Sequence, residues 1–445
     1  MRIVIGAEEG RRTLLRRHPL EEADLPPTVR ARTRSVFGAD LSAEEAVERI
    51  LADVRAAGDA AVRRYNRAFD SVQDDALVVG PAERQAAYRE VDASLVDALR
   101  LAADRIRAFH EAQRAHGPRD FSQGGVGIIV RPIEKVGMYV PGTAAVYPSS
   151  VLMTAIPARV AGVRELYMAS PVGPDGRVSP LKLVAADIVG VDGVFRASGA
   201  QAIAAFAYGT ETIPRVDKVC GPGNIFVTLA KRRVFGQVGI DSLYGPTETI
   251  VVADESADPA FCAADLLAQA EHDELATPLL LTPSETLAHA VAAEVERQLA
   301  EIDRSAVAGA AIEARGGIVV TESVEEAVEL ANEFAPEHLC LLVKDAGFWR
   351  DRVRHAGGLF LGEEAPESLG DYTAGPSHVM PSAGSARFSS PLSVFDFLKF
   401  TSVVETDASV LEAVGPAAAA IARAEGFTAH ARAIEVRLAQ RVKKP

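Results

Sequence analysis

A chain of 445 residues that is 48% hydrophobic and 24% charged is long enough for about three average domains, with apolar material for full cores, which excludes disorder. Its 47 basic and 61 acidic side chains leave a formal net charge of -14, so no chain-wide positive field draws nucleic acid or an anionic membrane, and an anionic ligand needs a local site. No apolar run approaches the roughly 18 residues of a membrane span. The opening MRIVIGAEEGRRTLLRRHPLEE lacks the order of a secretory signal, and the scattered Cys220, Cys262 and Cys340 read as buried thiols of a reduced, cytoplasmic protein.

Residues 1–35 are rich in charge, broken at Pro26-Pro27 and too sparse in apolar positions for a core of their own, so they are expected as a helical arm. From Ser42, Val47, Ile50, Leu51 and Val54 recur at helical intervals, with Ser42 and Glu45 spaced as a capping box. A second helix is expected from Ala93 to His116. From about Val126 short β-rich runs such as VGMYV, ELYMAS and ETIVVAD alternate with helical ones such as SSVLMTAIPARVAGV and AQAIAAFAYG, the pattern of a parallel sheet covered on both faces.

A second alternating series runs from Ala260 through PLLLLT, GGIVV, HLCLLV and GGLFLG. The fold class expected is therefore α/β, with two Rossmann-like lobes that are incomplete in lacking the G-x-G-x-x-G fingerprint. The expected division is an arm over 1–35, a discontinuous lobe over 36–134 and 247–390, a second lobe over 135–246, and a mainly helical carboxyl-terminal extension over 391–445. That extension closes on Arg441, Lys443 and Lys444, the charge favoured at a helix carboxyl end.

Two glycine turns, Ser198-Gly199-Ala200-Gln201 and Gly221-Pro222-Gly223-Asn224, join a β run to a helical run, where free helix N–H groups can meet a phosphate. Either is equally at home as a plain βα turn, and Phe226 occupies the third glycine position of the dinucleotide fingerprint. In AQAEHDE, Gln269 and His272 share one helix face. Glu337-His338 sets a carboxylate beside an imidazole, a pairing suited to proton transfer, although a solvated loop would look the same. The loop from Gly370 to His378 is dense in glycine and polar groups, and Glu425 and His430 flank a late turn. Together Gln269, His272, Asp371 and His430 offer two nitrogen and two oxygen donors without thiolate, a set that accepts zinc, manganese or cobalt.

The ordered stretches VGMYVPG, YPSSVLMTAIPARVAGV, SGAQAIAA, VCGPGNIFV, QAEHD, APEHL, GDYTAGPSHVMPSAGSARFSSPLSV and AEGFTAH, from about residue 130 to the carboxyl end, resemble the histidinol dehydrogenase family. The resemblance implies a zinc- and NAD-dependent, four-electron oxidation of L-histidinol to L-histidine. By the same resemblance Gln269, His272, Asp371 and His430 are zinc ligands and Glu337 and His338 the catalytic pair. Tyr139, Gln201 and Asn224 contact NAD, while Thr247, His378 and Glu425 meet the substrate beside the metal ligands and His338. It further implies an intertwined homodimer in which Glu425 and His430 complete the site of the partner subunit. Thr247, Thr143 and Ser377 depart from residues common in the family and bear on fine specificity. A relative that oxidises another small polar alcohol, such as a sulfonated diol, remains the alternative. A zinc hydrolase lacks its H-E-x-x-H, and an exported binding protein lacks its signal.

Overall fold

The computed structural model describes residues 1–17, 27–70, 76–142 and 145–441. In chain order the strands begin with β1 (Arg2–Ile5), β2 (Phe121–Gln123), β3 (Val126–Pro132), β4 (Lys135–Tyr139), β5 (Glu165–Ser170), β6 (Gly193–Arg196) and β7 (Lys218–Cys220). They continue with β8 (Gly239–Ile240), β9 (Glu248–Ala253), β10 (Thr277–Thr282), β11 (Gly317–Val320), β12 (His338–Leu342), β13 (Gly358–Leu361) and β14 (Leu398–Val404). The chain divides into two compact units, one of Met1–Ala115 with Ile133–Phe397, the other of His116–Pro132 with the chain from Leu398 onward.

The first unit holds both parallel sheets of the expected α/β fold. One has five strands in the order β6-β5-β4-β7-β8, the other six in the order β1-β11-β10-β9-β12-β13. Every pair in them is parallel, with Met138 opposite Met168 and Cys220 in one and Leu339 opposite Ile250 and Leu359 in the other. Strands covered on both faces need unbroken apolar runs, and β9 and β12 are buried at every residue. The five-stranded sheet takes its strands from residues 135–240, and the six-stranded one from residues 248–361 together with β1.

Two expectations about the amino-terminal third are corrected. Residues 1–35 do not begin as a helical arm, because the β-branched run Arg2–Ile5 pairs with β11 at the edge of the six-stranded sheet before a short helix, Ala7–Arg12. Abundant charge concealed a strand whose register needs just four residues. Nor do residues 36–115 belong with the 247–390 lobe. Val47, Ile50, Leu51, Val54 and Val62 of the helix Ala43–Asp70 pack with Ile203, Phe206, Val219 and Val227 of the five-stranded lobe. The helix Ala93–Ala115 likewise lies on the helix Pro148–Ala161 of that lobe. The apolar stripe was legible, but the face it meets was not. The capping box forms, with the Ser42 amide donating to Glu45 at 2.8 Å and the Glu45 amide donating to Ser42 Oγ at 3.2 Å.

The second unit is a three-stranded antiparallel sheet in the order β14-β3-β2 and the paired helices Ala408–Ala424 and Thr428–Arg441. The expected helical extension thus begins with a strand, β14, whose partner β3 lies far back in the chain. Pro26, Thr143, Lys443 and Lys444 fall outside the described residues. Among the described residues no helix is long and apolar enough to cross a membrane.

Candidate active site

His338 opens β12 and Glu248 opens β9, and the parallel register sets His338 opposite Thr249. His338 Nδ1 lies 3.2 Å from the Glu248 carbonyl oxygen. A carbonyl can only accept, so Nδ1 carries the proton and the neutral ring has its lone pair on Nε2. That Nε2 atom is buried with no hydrogen-bond partner, 3.7 Å from Asp371 Oδ1. The ring stacks on Phe360 with centroids 5.9 Å apart, which fixes its plane. Burial opposes its positive charge, yet the neighbouring carboxylates of Asp371, Glu367 and Glu337 outweigh burial and push its pKa up to about 10, which favours the protonated ring. A cation on Asp371 would weaken that hold.

Glu337 immediately precedes β12, and its Oε2 accepts from Thr247 Oγ at 2.9 Å and from the Glu248 amide at 3.2 Å. Burial pushes its pKa up to about 7, against the opposing charge of His338 and the Thr247 hydrogen bond. The carboxyl therefore exchanges its proton near neutrality, and it stands 3.9 Å from His338 Nδ1.

The helix Pro259–Ala270 brings Gln269 and His272 to the same rim. Gln269 Oε1 lies 3.2 Å from the Thr247 hydroxyl oxygen and its Nε2 donates to Asp371 Oδ2 at 3.3 Å, while His272 lies within electrostatic reach of Asp371, His338 and His378. Two oxygen donors and an imidazole beside a helix carboxyl end suit a divalent cation. Among the described residues, however, no cluster of three or more His, Cys, Asp or Glu side chains is placed to hold a metal ion. The donor set fits zinc once a further ligand joins it. Glu425 and His430 belong to the second unit, where both are exposed and His430 packs beside Phe427 with centroids 5.3 Å apart.

His378 is committed on both sides, Nδ1 lying 2.8 Å from the Asp371 carbonyl oxygen and Nε2 3.2 Å from Ser150 Oγ. It positions the Asp371 backbone and meets no unpaired space with either nitrogen. Of the departures from family pattern, Thr247 keeps a hydroxyl that bridges Gln269 and Glu337. Ser377 is a buried turn residue that donates to the Met153 carbonyl.

The remaining predicted residues gather in the five-stranded lobe. Tyr139 ends β4, and its phenol oxygen accepts from the Gly199 amide at 3.2 Å. Gln201, almost fully buried in the first turn of the helix Gly199–Tyr208, donates to Ser198 Oγ at 2.9 Å and to Asn66 Oδ1 at 3.2 Å. Asn224 is exposed and caps the helix Ile225–Val234, accepting from the Phe226 and Val227 amides. A Cβ on Gly221, whose φ is +111°, would collide with the Tyr139 carbonyl oxygen, so the ends of β4 and β7 meet here because this residue is glycine.

Several functional side chains escaped the sequence reading. Arg17 pairs with Glu248 and donates to the Phe334 carbonyl at 2.6 Å, tying the amino-terminal segment to the chain that leads into Glu337. Glu367, fully buried, accepts from Thr249 and from Cys340 at 3.0 Å beneath His338. A charged residue inside an otherwise apolar run was the available signal for Glu248, and nothing local marked Arg17.

A family model described as "Histidinol dehydrogenase" matches residues 34–438. The chain is 49% identical over 441 residues to a histidinol dehydrogenase of Deinococcus radiodurans, covering 98% of this chain and all of that one. It is 47% identical over 442 residues to one of Dehalococcoides mccartyi, with the same coverage. The crystal structure of histidinol dehydrogenase from Elizabethkingia anophelis superposes with a TM-score of 0.89 at 33% identity, covering 99% of this chain and 98% of that one.

Proposed function

The chain belongs to the histidinol dehydrogenase family, a family of oxidoreductases, and from that membership we propose that it oxidises L-histidinol through the aldehyde to L-histidine, with NAD as hydride acceptor and zinc as its metal. The observation that carries this reading is His338 Nε2, a buried nitrogen without a hydrogen-bond partner, 3.7 Å from Asp371, on a ring whose other nitrogen lies 3.9 Å from Glu337. In the first half-reaction His338 takes the hydroxyl proton of the alcohol, and NAD, when bound, would supply the acceptor for the hydride that leaves the same carbon. Glu337 then draws a proton from water, which adds to the aldehyde to give the hydrate. His338 accepts a second hydroxyl proton as the second hydride leaves, and the carboxylate is formed. Per substrate, one water is consumed, two NAD are reduced and three protons are released in forming the carboxylate.

Gln269, His272 and Asp371 would hold the zinc, with His430 of a second copy as the remaining ligand. When bound, the metal supplies a grip on the nitrogens of the substrate and so orients its reacting carbon. Thr247 and Glu425 are the proposed substrate contacts, and the Asp371 carbonyl held by His378 fixes one wall. Tyr139, Gln201 and Asn224 are the proposed cofactor contacts. Exposure of both Glu425 and His430 in the second unit supports a homodimer that shares its sites.

Anaerobic titration of zinc-loaded protein with L-histidinol and excess NAD tests the reading. About two NADH and one histidine per histidinol are expected. NADH from a sulfonated diol and none from histidinol would overturn the substrate and leave the base in place.

A further inference from the structure

Two lysines with no part in the reaction lie inside the five-stranded lobe, Lys182 at 0% and Lys231 at 1% exposure. An ammonium is retained in an apolar interior where its hydrogens find acceptors. Lys182 Nζ has three, the Pro141 carbonyl at 2.6 Å, the Gly142 carbonyl at 3.0 Å and Ser170 Oγ at 3.0 Å. Lys231 Nζ donates to the Gly221 carbonyl at 2.9 Å, pairs with Asp241 and lies 4.6 Å from the centre of the Tyr244 ring. Asp241 Oδ2 in turn accepts from the Gly221 amide at 2.6 Å. Each lysine therefore grips the glycine of one loop, Gly142 after β4 and Gly221 after β7, and both glycines have positive φ, +110° and +111°.

These loops are adjacent for a topological reason. The chain lays down β4, β5 and β6 in one direction and then returns to place β7 on the other flank of β4. In an open parallel sheet the crevice for a ligand lies at the carboxyl ends of the two strands where the order reverses. Both loops border that crevice, and a lysine lies beneath each.

We propose that Lys182 and Lys231 are positioning residues of the dinucleotide site, a pair of internal clamps that fix the backbone of the two loops bordering the crevice. The proposal rests on the NAD reading given above. The two clamps differ in charge. Asp241 neutralises Lys231, whereas the described partners of Lys182 are carbonyls and a hydroxyl, so the charge of Lys182 is balanced when an anionic cofactor occupies the crevice. Burial alone draws the Lys182 pKa down to about 8, with no acidic or basic neighbour contributing. Above that pH the free enzyme loses this charge, and cofactor affinity falls with it.

The test is NADH binding to the zinc-loaded enzyme, followed by fluorescence from pH 6.5 to 9.5 (assay settings, about one and a half units either side of the transition). Wild type is expected to bind more weakly as pH rises through about 8. K182M is expected to raise the Kd at pH 7 about tenfold or more and to abolish that pH dependence. Zinc content and the KM for histidinol stay as in wild type. K231M raises the Kd without altering the pH profile. Should K182M not fold, S170A removes one acceptor of the same lysine and is expected to raise the Kd about two- to threefold. A folded K182M or S170A with the affinity and pH profile of wild type overturns the clamp. Wild type that binds no NADH overturns the dinucleotide reading instead.

Discussion

The two parallel sheets of the first unit use opposite ends. In the six-stranded lobe the proposed chemistry gathers at strand amino ends, with Glu248 opening β9, His338 opening β12, and Gln269 and His272 at the carboxyl end of the helix before β10. In the five-stranded lobe it gathers at strand carboxyl ends, with Tyr139 closing β4, Asn224 following β7, and Gln201 in the first turn of a helix. In alternating α/β structure the amino ends of strands neighbour the carboxyl ends of helices, which carry partial negative charge, and the opposite rim carries partial positive charge. One rim thus suits a cation and the other an anionic cofactor. Local charge follows the same division, since Glu337, Glu367, Asp265 and Asp371 crowd the first site while Lys182 and Lys231 underlie the second. An acidic chain can offer an anion a local site because the sign of its field is set rim by rim.

Mutations that strike one lobe and spare the other test this division. The largest effect is expected from His338→Asn, which removes the Nε2 base and should lower kcat by about 10²–10⁴-fold while NADH binding and zinc content are retained. Loss of zinc from that variant, measured by metal analysis, would show that His338 is a ligand rather than a base. Gly221→Ala should act on the opposite lobe, since its Cβ meets the Tyr139 carbonyl at a backbone angle unfavourable to alanine. Its Kd for NADH is expected to rise about 10- to 100-fold with zinc content intact, and equal binding would disprove the close approach of β4 and β7.

Glu337→Gln should lower turnover about tenfold to 10²-fold, and more so for the aldehyde half-reaction, which needs activated water. Single-turnover measurement with histidinol and with histidinaldehyde separates the halves, and equal losses in both would remove that role. The smallest effect is expected from Asp265→Asn, a test of how acidic the six-stranded lobe is. Burial and the charge of Glu367 push the Asp265 pKa up to about 7. An acid whose folded pKa is raised stabilises the fold least above that pKa, so stability falls as pH rises from the ordinary carboxyl range through about 7. The variant should melt about 2–4 °C higher than wild type at pH 8, with the difference shrinking toward pH 5. An unchanged melting temperature at pH 8 would mean that Asp265 is not held in a raised, buried state.

Much of this contrast was visible in the residue order. The alternation of β and helical runs predicted two α/β lobes, and PEHL, QAEHD and GPGN marked residues that the fold places at the two rims. What escaped were groups whose meaning depends on a distant partner. Lys182 is the one basic residue in the mainly apolar run PLKLVAADI, and its acceptors come from two other segments. Arg17 sits in a charged stretch like its neighbours until Glu248 is brought beside it. His378, by resemblance a substrate contact, is also engaged by Ser150 and the Asp371 carbonyl, which only the fold brings to its ring.

The sequence by itself determined element type and residue chemistry, because hydrophobic period, glycine turns and donor atoms are local properties of the chain. Which surface each element covers was decided by the tertiary structure, because an apolar stripe specifies burial and not its partner. That is why β1 joined the six-stranded sheet while the helices of residues 36–115 covered the five-stranded one. It is also why the direction of each sheet, invisible in composition, decides which rim carries the partial charge that suits the proposed cation and which the proposed anion.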